Sequence, residues 1–268
     1  MPGRDDLALI EQAAREAGAI ARSYFGGDYK KWDKGKGQPV TDADIAVDNF
    51  LRDALLKARP NFGWLSEETR DDPARHGCAR VFVVDPIDGT VAFIKGRPHF
   101  AVAVAIVEDT RPTAAVVYNP VLDECFTAAL GEGAAMNGAP IHASAQAAIE
   151  GCRMLGDKAM LSHPAWNNPP LTPWPEMHIE TRNSIAYRMA LVADGRFDAA
   201  LALSAKCDWD LAAADLIVHE AGGLVTDHRG ALLHYNGAVP IQRTMLAAAP
   251  HLHPLLVDKL RDIRLPSA

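Results

Sequence analysis

The stretch Val81–Phe93, VFVVDPIDGTVAF, decides how this chain is read. Val81, Phe82, Val83 and Val84 form the β-branched and aromatic run expected of a strand buried on both faces. The run ends in Asp85, Pro86, Asp88, Gly89 and Thr90. Proline fixes one backbone dihedral and glycine reaches conformations closed to other residues, so the chain turns sharply there. Two carboxylates three residues apart at a strand end repel each other unless something positive lies between them.

The surrounding composition sets limits. The chain has 268 residues, 49% of them hydrophobic, and a formal net charge of −7. That length and apolar content support one large domain or two lobes on a sheet-and-helix framework. The acidic balance disfavours a generic affinity for nucleic acid or an anionic membrane, so an anionic substrate has to be attracted locally. The opening MPGRDDLALIEQ has no basic region followed by an apolar core, and no apolar run reaches bilayer-spanning length. Cys78, Cys125, Cys152 and Cys207 are far apart with no CxxC pair, which fits reduced thiols in a cytoplasmic protein.

Along the chain, Leu7, Ile10, Ala14, Ala17, Ala21 and Tyr24 recur at helical spacing until Gly26-Gly27. A lysine- and glycine-rich loop with Lys30, Lys31, Lys34 and Lys36 follows, and Thr41 to Asp44 reads as a capping box opening a helix that runs to about Ala58. Phe100–Val107, Thr113–Tyr118 and Cys125–Leu130 read as a meander of strands. A second half begins near Pro140, where SIAYRMALVADG and DLAAADLIVHEAGG read as helices closed by Gly195 and Gly222-Gly223, giving a small helical lobe. The division expected is an α+β lobe over about 1–140 and an α/β lobe over about 141–268. The segment Ser162–Pro175, with Trp166 and Trp174, reads as an irregular loop that is either plain surface or shapes a substrate. The histidines, including His99, His219, His228, His234, His251 and His253, form no ligand pattern and read as surface residues.

Acid-bearing positions stand out at Asp44, Glu67-Glu68, Asp85 with Asp88, and Asp210. All-oxygen ligands suit a hard divalent cation, and magnesium takes a few carboxylates, keeps waters and binds substrate phosphate. If a helix opens at Gly89 and Thr90, its first N–H groups face a phosphate oxyanion. A threonine hydroxyl held by a carboxylate can then orient a water for in-line attack on phosphorus. Each residue also has a local explanation: Asp44 in a capping box, Asp210 as an N-cap, Asp88 as a turn former, Glu67-Glu68 in a solvated loop. Residue by residue, the pattern stops at a metal-site hypothesis.

The combination of VVDPIDGT, preceded by WLSEE and followed by WDLAAAD and EAGG, resembles the inositol monophosphatase family of magnesium-dependent, lithium-sensitive phosphatases. The resemblance runs from Val40 through Asp227. It implies an α/β fold, the layered αβαβα sandwich of the inositol monophosphatase and fructose-1,6-bisphosphatase type, in a homodimer, with two or three Mg2+ ions per site. It further implies that Glu67, Asp85 and the Ile87 carbonyl hold a first ion, and that Asp85, Asp88 and Asp210 hold a second. Glu67 touches a third, Thr90 with Asp44 positions the attacking water, and Asp88, Gly89 and Thr90 receive the phosphate. Ser184 and Lys206 border the substrate, and Lys34 is the loop residue whose spacing favours it as the one that meets the site, with a solvated surface position as the alternative for both lysines.

The sequence departs from the family pattern in two places. Val91-Ala92-Phe93 matches neither the Thr-Asn-Phe of inositol phosphatases nor the Lys-Glu-Phe of bisphosphate nucleotidases. Leu203 falls where inositol phosphatases carry a glutamate that accepts a bond from an inositol hydroxyl. The expected activity is hydrolysis of a small phosphorylated polyol such as myo-inositol 1-phosphate. The alternative within the family is a 3'(2'),5'-bisphosphate nucleotidase using Lys206 or a neighbouring arginine, and the alternative of another class is a non-catalytic, metal-responsive binding protein. The complete set Asp44, Glu67, Asp85, Asp88, Thr90 and Asp210 weighs against the last.

Overall fold

Helix α1 (Pro2–Tyr24) buries Ile10, Ala14, Ala17 and Ala21 completely and stops where Gly26 takes a left-handed backbone. This computed structural model describes residues 2–35, 37–157, 161, 174–263 and 265, so Lys36 and residues 162–173 of the irregular segment lie outside the described residues. A hairpin of β1 (Lys31–Asp33) and β2 (Pro39–Thr41) leads into α2 (Asp42–Ala58), which Thr41 and Asp44 open as a capping box.

A seven-stranded sheet follows in the order β3 (Gly63–Ser66), β4 (Arg80–Asp88), β5 (Ala101–Glu108), β6 (Arg111–Asn119), β7 (Glu124–Ala129), β8 (Ala134–Met136) and β9 (Ala139–Pro140). The β3–β4 pair is parallel and the rest is an antiparallel meander. Between β4 and β5 the chain turns through the short helix α3 (Thr90–Ile94).

Successive residues of β4 go to different cores. Phe82 and Val84 pack with α1 and α2 on one face, while Val81 and Val83 pack on the other against α4 (Ile185–Ala193) and α5 (Asp208–Glu220). That alternation is the period-two signature of a strand, with both faces covered.

The second half is not a helical lobe. It carries a five-stranded sheet of β10 (Arg153–Leu155), β11 (His178–Glu180), β12 (Ala199–Ala202), β14 (Leu224–Thr226) and β16 (Met245–Ala248), in the order β11-β10-β12-β16-β14. A separate pair joins β13 (Lys206–Cys207) to β15 (Ile241–Gln242). These strands are two to four residues long and mostly built of alanine and other small or unbranched residues, which leaves little strand signal to read. Leu155, Ala200, Ala202 and Met245 face α4 and α5, whereas Met154, Leu201, Leu246 and Ala248 face α6 (His253–Leu260). The layers therefore run helix pair, seven-stranded sheet, helix pair, five-stranded sheet, helix: the expected αβαβα sandwich.

Two histidines correct the surface reading. His228 and His253 are buried, their rings bonded to Thr244 and Thr226, and burial lowers the pKa of both. All four cysteines are free. No helix among the described residues is long and apolar enough to cross a membrane.

Candidate active site

Asp88 comes three residues after Asp85, an odd offset that in a regular strand would put them on opposite faces. The register solves this. Asp85 pairs with Ala103 but Asp88 with Ala101, so one extra residue is accommodated between them as a bulge. Both carboxylates then reach the inner layer, at the N-terminal ends of α4 and α5. Gly89 follows in a left-handed conformation, φ 96°, and a side chain there would meet His99 O at 3.0 Å and Ser184 at 3.1 Å. Only glycine fits that turn.

Asp210 comes from α5. The local alternative of an N-cap does not hold for it: Cys207 caps the helix, and Asp210 sits three residues on, its Oδ2 accepting from Cys207 N at 2.8 Å. Ligand oxygens of Asp85, Asp88 and Asp210 lie within 4.8 Å of one another. Burial first, then repulsion from neighbouring acids, raises all three, Asp88 to about 6 with Glu67 as its repelling neighbour, Asp210 to about 8 and Asp85 well above the usual range. None of the three is in an ion pair among the described residues. A hard divalent cation answers that frustration with the oxygen donors present.

Thr90 and Asp44 meet as the sequence expects. Thr90 Oγ1 lies 3.2 Å from Asp44 Oδ1 and 3.1 Å from the Ile87 carbonyl oxygen, and it can donate to either. The second oxygen of Asp44 is fixed by Thr41 N at 2.8 Å and Thr41 Oγ1 at 2.5 Å. Burial, the largest cause, raises the pKa of Asp44.

Glu67 and Glu68 follow β3. Lys34 Nζ, on the β1–β2 turn, donates to Glu67 Oε1 at 3.0 Å and Glu68 Oε1 at 2.7 Å. Burial lifts Glu68 to about 7 against the pull of that lysine. The loop is anchored by Asp48, which accepts from Ser66 Oγ and, at 2.6 Å, from Thr69 Oγ1. Sequence reasoning passed over Asp48; the available signal was its place one turn after Asp44 on the α2 face that also buries Val47, Leu51 and Leu55.

Ser184, expected against the substrate, is fully buried. It caps α4, and its hydroxyl donates to Asp88 Oδ2 at 2.6 Å, an oxygen that also accepts from Ala186 N at 2.6 Å. Ser184 thus positions Asp88, while its neighbours Asn183 and Ile185 line the cleft. That cleft, about 330 Å³, also exposes Glu67, Asp85, Asp88, Gly89, Thr90, Asp210 and Lys206. Leu203 is buried in the core beneath α6 and presents no polar group to the cleft.

The sequence profile of the inositol monophosphatase family matches residues 4–265. An inositol-1-monophosphatase of Rhizobium meliloti is 34% identical over 235 residues, 84% of this chain and 86% of that protein. The Nus factor SuhB of Salmonella typhimurium is 34% identical over 230 residues, 84% of this chain and 85% of its own. Among solved structures, the extragenic suppressor protein SuhB of Bartonella henselae superposes with a TM-score of 0.82 at 31% identity, covering 96% of this chain and 99% of that one. An inositol monophosphatase of Thermotoga maritima gives 0.82 at 27% identity, covering 97% and 98%.

Proposed function

The chain belongs to the inositol monophosphatase family, and from that premise we propose that it is a magnesium-dependent phosphomonoesterase acting on a small phosphorylated polyol, with myo-inositol 1-phosphate foremost. The observation that supports this most is the triad Asp85, Asp88 and Asp210, drawn together beside the Thr90–Asp44 pair with none of the three in an ion pair among the described residues.

Asp85, Asp88 and Asp210 would hold one cation, and Glu67, Asp85 and the Ile87 carbonyl another. Bound there, magnesium supplies charge neutralisation for the phosphoryl oxygens and a lowered water pKa. The chain's own groups do the rest. Gly89 and Thr90, opening α3 at the mouth of the cleft, offer backbone N–H groups to the phosphate. With its proton given to Asp44, Thr90 Oγ1 keeps lone pairs that accept from the attacking water and fix its line of approach. The water's proton passes to Thr90 Oγ1 as the Thr90 hydroxyl proton passes to the Asp44 carboxylate, made more basic by burial and locked by Thr41, so Asp44 ends with one added proton and Thr90 with none added, and the leaving alkoxide takes its proton from solvent. Water attacks phosphorus directly, so no phosphoenzyme forms.

The test is phosphate release from myo-inositol 1-phosphate with magnesium, with chelator, and with lithium added. Release that requires magnesium and falls with lithium is expected. No release from this or any other small phosphate monoester in magnesium would overturn the reading.

A further inference from the structure

A cavity of about 820 Å³ lies where β14, β15 and the end of α6 meet, and among the described residues it shares no wall with the metal cleft. Its volume is that of a small-molecule pocket. Arg229 stands on the turn after β14, Arg243 directly after β15 and Arg261 directly after α6. Leu232 and Ile241, both large apolar side chains left exposed, add apolar wall.

The charges there do not cancel. Asp258 takes up Arg261, and Asp227 Oδ1 accepts from the backbone N–H groups of Arg229 and Ala231 at 2.8 and 2.9 Å. The guanidinium groups of Arg229 and Arg243 have no hydrogen bond or ion pair among the described residues, and Asp262 is the other carboxylate in the wall. The same wall holds His228, 5% exposed, whose Nδ1 lies 2.9 Å from Thr244 Oγ1. Thr244 Oγ1 also accepts from His228 N, so in either tautomer the hydroxyl is engaged and Nε2 is left shut off from solvent without a partner. Burial lowers the His228 pKa most, and Arg229 and Arg243 lower it further against the pull of Asp227, so both guanidinium charges bear on the ring. Two unpaired guanidinium groups beside exposed leucine and isoleucine side chains match an oxyanion carried on an apolar body.

The cavity wall is also joined to the cation site. β15 supplies Ile241 and Gln242 to the cavity and pairs with β13, whose Cys207 N donates to Asp210 Oδ2. Gln242 Nε2 donates to Asp208 Oδ1 at 2.8 Å, Asn236 N to Asp208 Oδ2 at 2.7 Å, and Asp208 N to the Pro240 carbonyl oxygen at 3.0 Å. Asp208 and Asp210 share the first turn of α5, so whatever steadies β15 steadies the turn that presents Asp210.

We propose that this cavity is an effector site for a small organic oxyanion with an apolar body, and that filling it tightens cation binding at Asp210 through β15 and β13. The binding half stands independently of the phosphatase reading, whereas the coupling half rests on the carboxylate triad holding a cation.

Benzoate and phenylphosphonate, with neutral benzamide as control, are titrated calorimetrically into the metal-free protein. At least one anion is expected to bind one to one and about tenfold or more tighter than benzamide, and the preferred anion tells carboxylate from phosphoryl recognition. Arg229→Gln and Arg243→Gln, both at exposed positions that leave the core alone, are each expected to weaken that anion by about fivefold or more. No binding of either anion at millimolar concentration, affinity equal to that of benzamide, or affinity unchanged in either variant overturns the site. Magnesium is then titrated with and without the preferred anion. Its dissociation constant is expected to fall by about threefold or more with the anion present, in the wild type and not in the glutamine variants, with a reciprocal tightening of the anion by magnesium. An unchanged constant, or the same shift in the variants, overturns the coupling. If magnesium binds in neither state, the cation reading and the coupling fail together, while the anion titration still decides the site.

Discussion

Asp44 and Asp210 occupy the same position, third residue of a helix, and divide their oxygens in the same way: one accepts from the cap backbone and the other faces the cleft or its hydroxyl. The capping explanation and the functional one, which compete when the sequence is read alone, are thus two ends of one carboxylate. Asp88 behaves similarly, with Ser184 and Ala186 holding one oxygen. An asparagine can still accept those two bonds but brings no charge to the triad. Asp88→Asn is therefore expected to lower kcat by ~10²-fold or more while leaving the metal-free thermal midpoint unchanged or raised, since it removes repulsion. Unchanged turnover would refute the metal assignment. Thr90→Ala should keep cation binding, measured by calorimetry, and slow hydrolysis by roughly 10²- to 10⁴-fold. A wild-type rate would refute its water-positioning role.

At the scale of elements, the reacting groups depend on the end of β4: a bulge that turns two acids to one side, then a left-handed glycine that starts α3. Gly89→Ala puts a methyl against His99 O and Ser184 and forces an unfavourable backbone, so a loss of about 1–3 kcal/mol is expected. Thermal unfolding checks this, and an unchanged midpoint would show that the turn tolerates a side chain. The strand, its sharp end and the long helices were legible because their residue types carry pattern: β-branched runs, helical spacing, capping residues, a glycine at the turn. The bulge was not legible, because an extra residue leaves no mark in composition, and register depends on the partner strand. The strands of the second sheet were hidden for another reason. Ala199–Ala202 and Met245–Ala248 are buried on both sides by helices, and small residues packed on both faces show neither period two nor β-branching. Ser184 and Leu203 illustrate a further limit: sequence spacing located them near the site but not the direction of their side chains.

Across the whole molecule, the acidic triad links folding to pH and to cations. The folded pKa of Asp210, about 8, and of Asp88, about 6, exceed the ordinary aspartate value, so the folded chain binds more protons than the unfolded one over that interval. Their contribution to metal-free stability is accordingly lost as pH rises from about 4 to about 8. On the proposed reading magnesium would bind the deprotonated acids, so its stabilising effect should grow over the same range. The rise in thermal midpoint on adding magnesium is expected to be larger at about pH 8.5 than at about pH 5.5; comparing gains at each pH cancels the opposite contribution of buried His228 and His253. Equal gains would show that the acids do not titrate with the cation. The αβαβα layering follows from alternating faces of two sheets, yet the triad is recruited across it: Asp85 and Asp88 end a strand of the first sheet, Asp210 opens a helix of the middle layer, and α4 steadies Asp88. Neither half of the polypeptide owns a finished cation cage. Severed near Pro140, the amino-terminal piece would keep Asp44, Glu67, Asp85 and Asp88 and the carboxy-terminal piece Asp210 and Ser184, so chemistry could reappear only on reassembly of the two fragments.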